Sequence, residues 1–590
     1  MNRVLELVDR YWKCIVVAAW LGFCVYFVIN RWTVIQYFWL PDTDDNLRIA
    51  QVRALLSGQD WFDLRQYRLN PPVGANIHWS RLVDLPIAGL ILLFRPLVGG
   101  ADAERIAIAV APMLPFLLLF FSTALTVRRL IDPRAYPLAL AVFFFAGSVL
   151  NMYMPARIDH HGWQLALLSL AVAGMSDPKR ARGGVIVGIA SAFSLSIGLE
   201  MLIYIAVAGA AMTLFWVADE SERRRLAAFA AALGGGTAIG FLVFASNANR
   251  SAVCDALSPV WLSDALLGGA LLLGLAMWSP RGWKTRFLLA LGAGVIVAAF
   301  HATVWPHCLS RLEGVSPEVE RLWLSHVREA RPIYRHGWRI AMLVSTLPVT
   351  AIVGWALLAW SRRRDAELFR RVLAAGAPCL VATALLLWQT RTGPAAQMFA
   401  VPGAVAILWL LVPRALNSKR FLLTTVGTAV LVVIGFGAAG SLVDRLVPRE
   451  LKPKPASAVE RANRLCTSLW GLKPVAKQPK GIVFTFVDLG PRLIAVTHHS
   501  AITGPYHRNG EQIGDVMKAF RGDEAQARAI IAKYRSDYLL ICPNMSTATI
   551  FMAEAPKGFY AQLVRGQVPA WLEPVALPKD SPFRMWRVKR

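Results

Sequence analysis

Leu85-Pro-Ile-Ala-Gly-Leu-Ile-Leu-Leu-Phe94 is an apolar run of ten residues, and the topology of the whole chain turns on whether it crosses a membrane. A helix crossing the hydrocarbon core needs about 20 apolar residues, so this run is too short. Taken as a span, it would put Arg128 and Arg129 outside and invert everything downstream. Taken as an interfacial or re-entrant helix, it leaves every later basic cluster on one side, as the positive-inside rule requires. We adopt the second reading.

Thirteen spans then follow, near 14–30, 106–127, 135–152, 163–176, 184–198, 201–217, 227–245, 259–278, 287–304, 339–360, 372–388, 396–412 and 421–441. The inner clusters are Arg3/Arg10/Lys13, Arg128/Arg129/Arg134, Lys179/Arg180/Arg182, Arg223/Arg224/Arg225, Arg281/Lys284/Arg286, Arg362/Arg363/Arg364 with Arg370/Arg371, and Arg414/Lys419/Arg420. The N-terminus falls inside. Residues 1–444 form a membrane domain with outer loops 31–105 and 305–337, and 445–590 form a domain outside. The first apolar run, Cys14 to Ile29, lacks a small-residue cleavage site and reads as a retained span.

Composition agrees. Of 590 residues 56% are hydrophobic and 17% charged, which excludes an ordinary soluble protein. The net charge of +26 would suit nucleic acid, but its basic residues come as short clusters between apolar runs. That pattern points to a bilayer with an anionic inner leaflet and to no nucleic-acid partner. The seven cysteines show no metal-type spacing. Cys254, Cys308, Cys466 and Cys542 fall outside, where disulfides can form; free thiols in loops or cores fit the sequence equally.

The C-terminal segment differs in kind. Lys452-Pro-Lys-Pro455 reads as a linker, Gly481 to Val487 and Tyr538 to Cys542 as buried strands, and Asp523 to Tyr534 as a helix. This predicts a small α/β domain.

Three acidic motifs share the outer side: Pro41-Asp-Thr-Asp-Asp45, Arg157-Ile-Asp-His-His161 and His326-Val-Arg-Glu329. Carboxylates at a membrane boundary suit Mg²⁺ or Mn²⁺, and an added imidazole tilts the choice towards Mn²⁺. Asp42 equally suits a helix N-cap with its acidic neighbours solvated. Glu329 shares its loop with Glu313, Glu318 and Glu320, among which spacing does not choose. Arg328, Arg331 and Arg335 suit phosphate. Further on, Asp488-Leu-Gly-Pro491, Thr497-His-His499 and Tyr506-His-Arg-Asn509 bring polar groups that suit a sugar or acceptor pocket, or simply a folded surface.

Together these residues resemble the catalytic subunit of oligosaccharyltransferase, a glycosyltransferase family of the GT-C fold. Asp42-Thr-Asp-Asp-Asn-Leu-Arg48 is similar to its first-loop motif. Arg157-Ile-Asp-His-His161 is similar to the Asp-His-His form of its second, and His326-Val-Arg-Glu-Ala-Arg-Pro332 to its Thr-Ile-x-Glu segment. The resemblance implies a polytopic α-helical membrane protein of GT-C type with an extracytoplasmic α/β domain. It implies an enzyme that moves a sugar or oligosaccharide from a polyprenyl-phosphate-type donor. By that carry-over Asp42, Asp159 and His161 hold Mn²⁺ or Mg²⁺, and Asp42 and Glu329 are catalytic. His160, Arg331 and Arg391 face the donor phosphate, and Asp488, His507 and Arg508 the acceptor. The family's Trp-Trp-Asp-Tyr-Gly motif is missing; Phe486-Val-Asp-Leu-Gly490 keeps its Asp and Gly without the aromatics. The acceptor therefore stays open among protein, glycolipid and polysaccharide. The implied setting is a bacterial inner membrane, with the N-terminus cytoplasmic and the C-terminal domain periplasmic. A transporter or flippase of lipid-linked intermediates is the competing class, but it would carry ionisable groups inside its spans, and these are nearly free of them.

Overall fold

A computed structural model describes residues 2–310, 314–448 and 454–589. Glu313 and the Lys452–Pro453 half of the expected linker lie outside these residues; from Lys454 the chain is already helical, through Cys466.

Leu85 to Phe94 lies within one helix, Arg81–Val98, and is not among the helices long and apolar enough to cross a membrane. Ser80 caps its start, accepting from the Leu82 amide at 3.2 Å. Gly99, at φ +81°, ends it in a conformation that a side chain would strain. One face buries Val83, Ile87 and Ile91, while Leu92, Leu93 and Leu97 are exposed. Lipid would cover such a face.

The expected count of thirteen spans is not confirmed. Every expected segment contains helix, but eight helices among the described residues pass for spans by length and hydropathy. A ninth is added if Leu423–Gly435 and Ala439–Leu446, bent by 100°, count as one. Segment 135–152 breaks into Tyr136–Val142, a short turn of helix and Gly147–Leu150. Helix His161–Met175 has only 15 residues, most of them buried. A helix surrounded by other helices meets little lipid, so it need not match the thickness of the bilayer.

Small residues let the helices approach. Gly184 and Gly188 of Arg180–Ile197 face the backbone of Arg223–Phe244, and a Cβ on Gly188 would sit 2.7 Å from the Phe229 carbonyl. Gly354 and Gly403 do the same between Trp338–Arg362 and Gly393–Leu416. In lipid, where apolar burial does not drive association, such close contact is what holds helices together.

Polar contacts segregate to two ends of the bundle. At one end Arg128 meets Asp9 at 2.7 Å, Arg129 meets Asp177 at 2.8 Å and Arg370 meets Asp219 at 2.9 Å. These residues all come from segments expected inside. At the other end lie the contacts among the outer loops described below. Two disulfides, Cys254–Cys308 and Cys466–Cys542, also lie at that end, whereas the free cysteines, Cys14, Cys24 and Cys379, sit in apolar helices.

The C-terminal unit has a five-stranded sheet of order β2-β1-β3-β5-β4. Strands β1 (Ile482–Phe484), β2 (Ser500–Ala501) and β3 (Tyr538–Ile541) pair in parallel, and β4 (Leu572–Pro574) and β5 (Arg584–Val588) extend it antiparallel. The first strand is shorter than expected because the chain turns at Asp488 into helix Gly490–Val496. Helix Glu524–Lys533 lies where predicted, capped by Asp523. The first outer loop is fused to this sheet: Leu69 bridges to Ala501, and Arg68 donates to the carbonyls of Ile494, Thr497 and His499. Buried Arg492 donates to Phe38 O and Asn46 Oδ1.

Candidate active site

Asp42 takes up the N-cap role its sequence suggested. Its Oδ1 caps helix Thr43–Leu56 by accepting from the Asp44 amide at 3.2 Å, and its Oδ2 accepts from Arg157 at 2.7 Å. The same guanidinium reaches Asp45 at 3.1 Å and Asp159 at 2.7 Å. Arg157 is thus the hub that joins the first two acidic motifs. Asp45, fully buried, also accepts the Ile158 and Asp159 amides at 2.8 and 3.1 Å, so one carboxylate shapes the second motif's backbone. The entry to that motif is strained: Ala156 adopts φ +73°.

Asp159 accepts from the His161 amide at 3.0 Å, and its Oδ1 stands 3.3 Å from His161 Nδ1. His160 turns the other way. Its Nε2 lies 3.0 Å from Glu200, whose second oxygen accepts from Gln164 at 2.8 Å. Arg48 stands 3.4 Å from His160 Nδ1 and pairs with buried Asp84 at 2.9 Å, while its guanidinium lies 4.3 Å from the centre of the Trp79 ring. Tyr506 of the C-terminal unit packs edge-on against Trp79 and donates to Thr43 O at 3.0 Å.

Carboxylates outnumber cations here. Burial, reinforced by Asp42 and Asp159, pushes Asp44 well above the usual carboxylate range. Burial likewise pushes Asp45 up, against the pull of Arg157. Burial also opposes charge on Asp159, but Arg157 and His161 overcome it and hold this group well below the usual range. For His161, burial disfavours the cation, and Asp159, Glu200 and Glu329 outweigh it, taking the imidazole up to about 10. Glu329 therefore faces the cluster electrostatically, from an exposed position and without a hydrogen bond among the described residues.

The other expected residues divide. Arg331 and Arg391 are brought together: the Arg331 carbonyl accepts from the Thr390 amide and hydroxyl at 2.8 and 2.7 Å, and Arg391 Nε is buried without a partner. Asp488 lies under Thr547, which donates to it at 2.5 Å. Burial raises this carboxyl, and Asp42 adds to the effect. His507 and Arg508 both clasp Asp255, at 2.6 Å each. Asp45, Arg48, Arg157 and Glu200 were missed as site residues. Arg157, Asp45 and Arg48 lie inside quoted motifs, and Glu200 lies between the expected spans 184–198 and 201–217.

Asp42, Asp159 and His161 do not form a closed ligand set. Among the described residues, three ligating atoms come within 4.8 Å of one another at Cys254/His307/Cys308 and at His78/Asp255/His507. Arg157 stands between the carboxylates of the expected trio. The donor chemistry still suits a hard divalent cation: there is surplus carboxylate, an imidazole, and an Asp44 side chain with no hydrogen-bond partner among the described residues.

No protein-family model and no curated protein matches this chain. Solved structures do. The archaeal oligosaccharyltransferase AglB from Archaeoglobus fulgidus, in complex with an inhibitory peptide and a dolichol-phosphate, gives a TM-score of 0.67 at 14% identity, over 96% of this chain and 73% of that one. The chain has the oligosaccharyltransferase fold. The A. fulgidus enzyme tethered with an acceptor peptide containing the NVT sequon gives 0.66 at 15% identity, over 97% and 74%. Its complex with Zn and sulfate gives 0.62 at 16%, over 92% and 70%. At these identities the likeness is one of fold. With the apolar helices described above, the oligosaccharyltransferase fold makes this a multi-pass membrane protein.

Proposed function

We propose that this protein is a membrane glycosyltransferase that moves a sugar or oligosaccharide from a polyprenyl-phosphate-type lipid to an acceptor at the disulfide-bearing end of the bundle. The observation that carries this reading is the Arg157-centred cluster, which unites Asp42, Asp45 and Asp159 at one end of an oligosaccharyltransferase fold. The related structures support the ligand classes: one holds a dolichol-phosphate, one an acceptor peptide, and one Zn and sulfate. The disulfides suit an oxidising compartment, so the bundle end with the site faces the periplasm of a bacterial inner membrane and the N-terminus the cytoplasm.

In this reading Asp42, Asp159 and His161, with Asp44 beside them, hold Mn²⁺ or Mg²⁺ once Arg157 yields its place. The bound cation would neutralise the departing phosphate. Arg391, with its free buried Nε, and Arg331 bind the donor phosphate, and so does His160, which Glu200 holds in place. Asp42, whose side chain is 41% exposed, takes the acceptor's proton as its oxygen or nitrogen attacks the anomeric carbon. The bond from that carbon to the phosphate oxygen breaks, and the lipid phosphate leaves with the electron pair. Glu329 positions the acceptor.

A glycolipid or polysaccharide acceptor is favoured over a peptide by one feature. Phe486, Val487 and Leu489 are fully buried, so the stretch standing where the peptide-reading motif belongs has no aromatic surface to offer. Asp488, His507 and Arg508 are already engaged within the protein and can contact an acceptor only from their remaining lone pairs and donors. The flippase class is disfavoured because the ion pairs sit at the ends of the bundle. Mass spectrometry of lipid-linked sugars and mature glycoconjugates in cells carrying the wild type or Asp159→Ala tests the reading. Accumulation of one polyprenyl-linked sugar with loss of one glycoconjugate supports it and names the acceptor. Two unchanged pools overturn it.

A further inference from the structure

Away from the Arg157 cluster, three polar side chains from distant parts of the chain converge. His78 comes from the first outer loop, Asp255 from the connection after helix Arg223–Phe244, and His507 from the C-terminal unit. One ligating atom of each lies within 4.8 Å of the other two. The two imidazole rings are 4.5 Å apart, and His507 Nε2 is 2.6 Å from Asp255 Oδ2. His78 Nδ1 is buried with no hydrogen-bond partner, an expensive arrangement for a polar atom.

Each of the three is held in place by a neighbour. Asn249 donates to the His78 carbonyl at 3.2 Å. Asp255 follows Cys254, which the disulfide to Cys308 anchors. The carboxylate of Asp255 is oriented by Arg508, whose Nε and Nη2 reach its two oxygens at 2.7 and 2.6 Å. Asn509, two residues after His507, accepts from the Asn76 amide at 3.2 Å. The Arg508 bonds act on a ligand group itself, and support of that kind is a feature of prepared metal sites.

We propose that His78, Asp255 and His507 form a structural binding site for a divalent transition ion of the Zn²⁺ class. Two imidazoles and a carboxylate are a borderline donor set of this kind, with a fourth position left for solvent. The ion displaces the hydrogen bond between His507 Nε2 and Asp255 Oδ2. It gives a partner to His78 Nδ1, which has none. Its effect is to clamp the first outer loop and the C-terminal unit to the membrane domain, at a position one residue before Trp79. The site is separate from the metal proposed for catalysis and stands whether or not that reading holds.

The test uses the full-length protein in detergent, stripped with a chelator and titrated with Co²⁺ and Zn²⁺, with metal content and visible absorption as readouts. Asp159→Ala is expected to keep one tight equivalent. His78→Ala and His507→Ala are expected to lose it, with affinity falling roughly 10- to 100-fold or more. Should those variants misfold, Cu²⁺ loaded into the wild type is expected to show nitrogen hyperfine splitting from two imidazoles. Unchanged binding in both histidine variants, or loss of all tight binding in Asp159→Ala, overturns the proposal. So does a Cu²⁺ spectrum without two nitrogens.

Discussion

Replacing Arg157 with Ala removes the one cation that touches three carboxylates. Asp45 and Asp159 have side chains 0% and 2% exposed, so water cannot take over from the guanidinium. Breaking a buried pair in this way costs about 3–5 kcal/mol, because a charge is left without a partner. The loss is local, since one of these carboxylates, Asp45, orders the backbone at Ile158 and Asp159. At about 1.4 kcal/mol per factor of ten, hydrogen exchange at those amides and in the first turn of Thr43–Leu56 should quicken roughly 10²- to 10⁴-fold. Helix Glu524–Lys533, remote from the cluster, should exchange as in the wild type. Added Mn²⁺ should restore much of the protection, since a divalent ion would meet the same carboxylates. Arg157→Lys should fall between, because one ammonium cannot span Asp42 and Asp159 as the two guanidinium nitrogens do. Unaltered exchange at Ile158 and Asp159 in Arg157→Ala would refute the view that this residue holds the site together.

Glu200→Gln should leave the fold intact and lower the pH at which His160 gains a proton, because the carboxylate beside it favours the cation; NMR titration of the labelled imidazole reads this directly. Asp177→Asn should cost about 3 kcal/mol by leaving Arg129 and Arg182 without their buried partner, measurable as a lower thermal midpoint. Burial raises the Asp177 carboxyl, but its bonds to Arg182, Lys179 and Arg129 win and hold it below the usual range. Its contribution is thus full above that range and disappears as pH falls through the lowered value, so the wild type and Asp177→Asn should converge in acid. Cys466→Ser with Cys542→Ser opens a loop closed across 76 positions, which in the chain-entropy model is worth about 4.5 kcal/mol; limited proteolysis should then cut the C-terminal unit first. Gly403→Leu should separate Trp338–Arg362 from Gly393–Leu416, because a Cβ there would already lie 2.7 Å from the Trp355 ring, and the variant should aggregate in detergent.

Much of this architecture can be read from local pattern. Hydropathy and the basic clusters settle which segments are helical and which ends lie together, because the bilayer penalises unpaired backbone and charge wherever they occur. The same rule recovers the two ends of the bundle, and among the described residues no ion pair crosses between them. It does not separate long spans from short segments such as His161–Met175, because burial among other helices releases these from matching the bilayer and hydropathy alone does not register those neighbours.

The acidic motifs were visible as chemistry but not as geometry. Nothing local to Asp45 says that it ties down the Ile158 and Asp159 amides, more than a hundred positions away. Arg157 reads as one more arginine until three carboxylates close on it. Asp488, His507 and Arg508 looked available for an acceptor until Thr547 and Asp255 were found against them. His507 and Asp255 stand 252 positions apart, and no short-range pattern could pair them. Helix periodicity, span length and charge sidedness are short-range properties written into consecutive residues. The partners of buried charges are chosen by the packing of segments far apart in the chain, and that choice decides which carboxylates are neutralised, which remain free, and where a cation can bind.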